Sequence, residues 1–391
     1  MENNIYDKRG VSASKSEIHN SVSTLWKGLY EKAFCKILPD LAGGSDDHVN
    51  IMHADTAGTK TSLAYIYWKE TGDMSVWNDI VQDAIVMNID DMACVGCTDN
   101  IILSSTIGRN KHLIPGDVIS ILINATQNFI EKLDNFGINL YLAGGETADV
   151  GDIVRTVDVG ITAFARLKKD ELIVNDIKDK DVIIGFSSSG RSVYEEGFNS
   201  GIGSNGLTSA RHDLFSDQYR IKYPESYSPQ TDVEYVYSGS RLLTEKIAVD
   251  GEMTDLGKFA LSPTRTYIPL LKEIFRSHRK NISGLIHCTG GGQTKVMKFV
   301  NNKRIIKDNL FETPQIFKLI QAESKAGIKE MYEVFNMGHR MELYTEEKYA
   351  EDIISISRSM GIDAKITGHV EQSEQNELRI KSGDQWLEYR F

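Results

Sequence analysis

The stretch "LYLAGGETADVGD", residues 140–152, constrains this chain more than any other. Leu140, Tyr141 and Leu142 read as the end of a buried strand, and Gly144, Gly145, Glu146 and Asp149 come directly after it. Glycine lets a backbone approach an anion closely, whereas gathered carboxylates repel one another without a cation. The pattern predicts a strand that ends in a bare turn beside acids, where α/β folds collect ligands.

The rest of the first half supplies the sheet. "VNIMHAD", "IILSST", "INLYLA" and "TVDVGITAFARL" read as strands. Residues 75–94 read as a helix, with Val81, Ile85, Ile89 and Met92 at three- and four-residue spacing. A second helix runs from Pro115 to Gly137, with proline near its start and glycine past its end. The order β-α-β-α-β-β predicts an α/β (α+β) domain over residues 1–168. Before it lies an amphipathic stretch around "VSTLWKGLYEKAF" and a glycine-acid loop, "LAGGSDDHV". A second domain, residues 169–391, opens with the strand "VIIGFSSSG". Residues 218–262 read as an irregular excursion, "SGLIHCTGGGQTKVMKFV" as strand, triple glycine and helix, and "DAKITGHV" as the final strand.

Composition excludes several classes. The net charge of −11 argues against general nucleic-acid binding but leaves room for a local anion site. There is no apolar run long enough for a membrane span and no signal-peptide core at the start, so a cytoplasmic protein is expected. Cys94 and Cys97 form a C-x-x-C, but without a second ligand pair they read as small apolar residues at a helix end.

The acids carry the sharper signal. Asp83 and Asp90 lie seven residues apart and share a helix face, with Asp91 beside it. Asp55 ends a strand, and Lys60 follows five residues later, placed to meet a phosphate. Carboxylates plus phosphate oxygens are what magnesium prefers. The competing reading is a solvated helix face with turn caps. Glycine turns at Gly58, Gly144–Gly145, Gly190, Gly206 and Gly290–Gly292 offer further anion cradles, although any turn needs glycine. None is a Walker A loop.

Taken in order, "ADTAGTKTSLA", "NIDDMACVGC", "LAGGETADVGD", "SSSG…GSNGLTSAR", "LSPTRTYIPLL", "IHCTGGG" and "EMYEVFNMGHRME" resemble the aminoimidazole ribonucleotide synthetase (phosphoribosylformylglycinamidine cyclo-ligase) family of purine biosynthesis, over roughly residues 50 to 370. The resemblance implies a two-domain fold whose N-terminal mixed sheet joins a partner's in a homodimer barrel, followed by a C-terminal α/β domain. It implies a ligase that uses ATP and Mg2+ to close formylglycinamidine ribonucleotide, with no nucleic-acid or membrane partner. Matched motif by motif, it implies catalytic roles for Lys60, Asp91, Glu146 and His287. It implies nucleotide contacts from Asp55, Gly58, Thr59, Lys60, Gly144, Gly145, Thr147, Ser204 and Asn205. Substrate contacts fall to Thr264, Arg265, Gly290, Gly291 and Asn336, and the metal to Asp55, Asp83, Asp91 and Glu146.

This chain also departs from the family pattern. Gly203 stands where a histidine precedes the S-N-G serine, and "RSVYEEGFNSGIG" is inserted before it. The glycines and serines of that insertion predict a flexible flap. "QTKVMKF" replaces the segment usual after the triple glycine. His339, Arg340 and Glu342 occupy positions that are usually small and apolar. A non-catalytic nucleotide-binding relative, or an enzyme acting on another substrate, is the alternative these departures motivate.

Overall fold

Two sheets organise the molecule in the computed structural model, which describes residues 5–11, 21 and 24–390. The first contains β1 (Ile37–Pro39), β2 (His48–Thr56), β3 (Ile101–Arg109), β4 (Leu140–Asp149) and β5 (Val157–Lys168), in the order β1-β2-β5-β3-β4. β3 and β4 run parallel; the other neighbours are antiparallel. β5 shows why one face is buried: Val157, Val159, Ile161, Ala163, Ala165 and Leu167 alternate with more exposed residues. The helices Val76–Ala93 and Gly116–Asp134 pack on that buried face.

The other face is open. Met52 pairs with Phe164, Phe164 with Ile102, and Ile102 with Tyr141, so an apolar row crosses four strands. Met52, Ile102 and Tyr141 are exposed there.

The glycine pair is not a turn beyond a strand end. Gly144 to Asp149 belong to β4, and the pairing slips between Leu103–Leu142 and Ser105–Gly145. That is a β-bulge, with Ala143 and Gly144 opposite Ser104 alone. Gly144 has φ 101°, and a Cβ on Gly145 would lie 2.2 Å from Ser105 Oγ. The extra residue reverses the alternation. Tyr141 and Glu146, five apart, therefore project on the same open face, opposite Ile102 and Thr106.

The second sheet has seven strands in the order β14-β13-β10-β12-β6-β11-β9. They are β6 (Val182–Ser187), β9 (Ile282–His287), β10 (Lys303–Lys307), β11 (His339–Thr345), β12 (Ala364–Gln372), β13 (Glu377–Ser382) and β14 (Gln385–Arg390). β12 is thus not the last strand, because the β13–β14 hairpin follows it. The excursion at 218–262 contains a hairpin, β7 (Lys246–Val249) with β8 (Glu252–Asp255). The helix after the triple glycine is a 3-10 helix, Gly292–Lys298.

Val22 and Ser23 lie outside the described residues. Residues 24–36 form turns and bends in place of an amphipathic helix, and Leu25, Trp26 and Leu29 are exposed. All four cysteines are buried and unpaired with one another, as the small-apolar reading of Cys94 and Cys97 expects. Among the described residues no helix is long and apolar enough to cross a membrane.

Candidate functional site

The helix Val76–Ala93 brings Asp83, Asp90 and Asp91 to the seam between the two sheets, and all three are buried. They are not a solvated face. Each receives donors from the C-terminal half. Asp83 Oδ1 accepts from Thr264 N (2.8 Å) and Thr264 Oγ1 (2.6 Å). Asp90 accepts from Thr266 Oγ1 (2.6 Å) and Tyr267 N (2.9 Å). Burial pushes Asp90 up to about 7, with those two donors opposing it. Asp91 Oδ1 meets His287 Nδ1 at 2.7 Å, and its Oδ2 lies 3.4 Å from His53 Nε2. Burial alone would raise Asp91, but hydrogen bonds from the two histidines hold it below the usual carboxylate range.

Lys60 does not reach out to a phosphate. It is fully buried at the start of the helix Lys60–Thr71, with Nζ 2.9 Å from Asp83 and 2.6 Å from the Ser262 carbonyl. Burial lowers its pKa, and Asp83 opposes that shift. Lys60 therefore ties the D-x-x-G-T-K turn to the C-terminal half. At the same turn Gly58 has φ 62°, and Thr59 Oγ1 meets Thr208 Oγ1 at 2.6 Å.

The four acids expected to share a metal do not converge within one chain. Asp55 shares the helix-side face of β2 with His53, whereas Glu146 lies on the open face of β4. Two strands separate them, so they stand roughly 14 Å apart at ordinary strand spacing. Asp83 Oδ1 and Asp91 Oδ1 already accept from donors, and Asp83 Oδ2, which accepts no hydrogen bond among the described residues, is ion-paired with Lys60 at 2.9 Å. Glu146 is exposed, as is Thr147 beside it, and among the described residues Glu146 makes no side-chain hydrogen bond. One other trio, Cys288, His339 and Glu342, has metal-like spacing. There Lys307 Nζ (2.5 Å), His339 Nε2 (2.8 Å) and Tyr344 OH (2.8 Å) already surround the Glu342 carboxylate, so an ammonium supplies the positive charge.

The motif residues of the C-terminal half are partly engaged by the chain's own groups. Arg265 is buried and clamped by Glu195 of the inserted stretch. That stretch is not a loose flap: Tyr194 is buried and donates to the Thr266 carbonyl (2.6 Å), Asn199 donates to the Pro263 carbonyl (2.8 Å), and Ile202 is buried. Asn336 is buried and hydrogen-bonded within the chain. It accepts from Ser188 Oγ and Gly338 N and donates to the Gly201 carbonyl. Thr264 Oγ1 lies 3.3 Å from Ser204 Oγ, so the P-T-R and S-N-G motifs do meet. Gly290 faces Asn205, with Asn205 Nδ2 4.0 Å from where its Cβ would sit; Gly291 has φ 97° and begins the 3-10 helix.

His287 is fully buried between Asp91 and Arg340, whose Nε donates to His287 Nε2 at 3.0 Å. Burial lowers it to about 4, although Asp91 opposes the shift. The neutral Nδ1–H form fits both contacts, donating to Asp91 and accepting from Arg340. Sequence reasoning missed His53, Glu195 and Lys295 as members of this network. It noted Arg340 only as a departure. The run of His339, Arg340 and Glu342 within one fully buried strand was the available signal.

A family model described as AIR synthase related protein, N-terminal domain, matches residues 36–167, and one described as AIR synthase related protein, C-terminal domain, matches residues 178–381. The chain belongs to the AIR synthase related family. Relatives named phosphoribosylformylglycinamidine cyclo-ligase include those of Methanococcus vannielii (30% identical, 88% of this chain and 84% of the relative) and Methanocaldococcus jannaschii (28%, 84% and 79%). Among solved structures, Thermotoga maritima PurL complexed with FGAR has a TM-score of 0.54 at 14% identity. It is matched over 97% of this chain, which spans about half (50%) of that one. A HypE–HypF complex gives 0.54 at 14% identity, with 96% and 98% covered. These likenesses establish the family's two-domain α/β fold for the chain.

Proposed function

We propose that the chain is a phosphoribosylformylglycinamidine cyclo-ligase, a cytoplasmic homodimer that closes formylglycinamidine ribonucleotide to aminoimidazole ribonucleotide in purine biosynthesis. The γ-phosphoryl group of ATP passes to the formyl amide oxygen, and ADP leaves. An internal nitrogen then attacks that carbon, the oxygen departs as phosphate, and the nitrogen gives up a proton. Such chemistry asks for positioning and charge complementarity more than for an enzyme nucleophile. The four cysteines fit that demand, since burial pushes every thiol up and away from the reactive thiolate.

The observation that carries the reading is the seam itself. Three acids of one N-terminal helix are held by Thr264, Thr266, Tyr267 and His287 of the other half, and the S-N-G and triple-glycine turns stand beside them. In this reading residues 1–168 bind ATP and dimerise, and residues 169–391 hold the ribonucleotide. Mg2+ accompanies the nucleotide as its counter-ion. Asp55 and Glu146 project from opposite faces of one sheet, so they serve a common site only if Glu146 comes from the partner protomer. The open apolar row Met52–Phe164–Ile102–Tyr141 is the surface for that pairing.

The test is ring closure by the purified chain with ATP and Mg2+. Production of aminoimidazole ribonucleotide, ADP and phosphate supports the reading. A folded chain that binds ATP but forms no product contradicts it and favours the non-catalytic alternative.

A further inference from the structure

The C-terminal half buries three arginines, of which Arg211 is bonded to Ser226 and Tyr237 and the other two, Arg265 and Arg340, lie near the motif turns with differing partners. Arg265 is matched. Its Nε lies 3.0 Å and its Nη2 2.5 Å from Glu195, and Nη1 donates to the Ser187 and Ser189 carbonyls. A carboxylate therefore already fills the fork through which Arg265 would grip an anion. Arg340 is just as buried, at 2% exposure, but no carboxylate hydrogen-bonds to it among the described residues. Nε donates to His287 Nε2, Nη2 donates to Asn205 Oδ1 at 3.3 Å, and Nη2 lies 3.0 Å from Met87 Sδ. Nη1 has no hydrogen-bond partner among the described residues. Asp83, Asp90 and Asp91 soften the local field, yet each is already held by other donors.

A buried guanidinium without a direct counter-ion is costly. This one has also had space cleared for it. A Cβ on Gly203 would lie 1.3 Å from Arg340 Nη1, at a backbone φ of 67°. No other residue fits at 203 while Arg340 keeps its place. The facing turn is open, since among the described residues a Cβ on Gly290 would meet only Asn205 Nδ2, at 4.0 Å. Lys295 adds a second cation near His287; it donates to Thr289 Oγ1 at 3.3 Å and has no carboxylate partner among the described residues.

We propose that Arg340 is a substrate-binding residue of this site, gripping an oxyanion of the bound ligand between the Gly203–Asn205 and Gly290–Gly291 turns, a task from which the Glu195 clamp keeps Arg265. The proposal rests on the ring-closure reading only for the identity of that ligand. The oxyanion belongs either to the 5′-phosphate of the ribonucleotide or to a phosphoryl group of ATP, and a guanidinium fork suits both.

Calorimetry on the full chain decides it, with ribose 5-phosphate and magnesium–ATP as separate probes. Arg340→Met should weaken one probe by about tenfold or more, the scale of a lost charge-assisted hydrogen bond, and leave the other unchanged. The weakened probe names the source. Arg340→Lys should recover part of the loss. Gly203→Ala keeps the arginine but displaces its guanidinium, so it should reproduce the loss. Unchanged affinity for both probes in folded Arg340→Met overturns the proposal, as does a wild-type chain that binds neither. If Arg340→Met does not fold, unchanged affinity in both Arg340→Lys and Gly203→Ala overturns it. A wild-type chain that binds a probe through Arg340 yet closes no ring would sink the functional reading alone.

Discussion

The acids of the helix Val76–Ala93 and the acid of β4 look alike in sequence and live in opposite surroundings. Asp83, Asp90 and Asp91 are buried and held by donors from the other half of the chain, with Lys60 and His53 of their own half beside Asp83 and Asp91, whereas Glu146 is exposed on the open sheet face. The difference lies in what each carboxylate can still do. A buried acid held by donors and a cation fixes geometry, because releasing it leaves an orphaned charge. An exposed acid keeps its oxygens for a ligand. The two regions should therefore respond differently to the same kind of substitution.

The largest effect belongs to the buried pair. Lys60→Met strands Asp83 without its cation and should cost about 3–5 kcal/mol, read by urea denaturation. A loss under about 1 kcal/mol would mean that Asp83 finds another cation, and the contrast between the two regions would weaken. Next is the open face. Met52→Asp puts a charge into the apolar row and should shift the chain toward monomer by light scattering; an unchanged dimer would place the interface elsewhere.

A smaller effect concerns pH. Burial lifts Asp79, in the first turn of the same helix, from 3.8 to about 7, with Lys60 opposing. Between about 4 and 7 the folded chain then holds a proton that the unfolded chain releases, so stability falls as pH rises through that window. Asp79→Asn should flatten that fall, and the melting temperature at pH 8 should rise relative to wild type. The smallest stability effect is expected for Glu146→Gln, within about 0.5 kcal/mol, as for other exposed sites. Its ring-closure rate should nevertheless collapse.

Much of this architecture was legible in the chain. The alternation along "TVDVGITAFARL" gave β5, and helical spacing gave the 76–93 helix with its acids on one face. The glycines of "LAGGETADVGD" predict a turn because a bulge and a turn ask for the same residue. Only the register against β3 separates the two. Lys60 looked like a phosphate ligand because its partner Asp83 is 23 residues away. The Glu195–Arg265 clamp spans 70 residues and joins an insertion to a motif, so no local pattern announced it. Burial and long-range partners, which set the role of a charged group, are properties of the fold.

The claim that joins these strands is that Asp55 of one protomer and Glu146 of its partner complete one site. Mixing separately inactive Asp55→Asn and Glu146→Gln subunits, after dissociation and reassociation, tests it most directly. A two-fold dimer with shared sites should regain about a quarter of wild-type ring closure, since half the dimers are mixed and each restores one of its two sites. Mixed dimers that form but stay inactive would contradict the account.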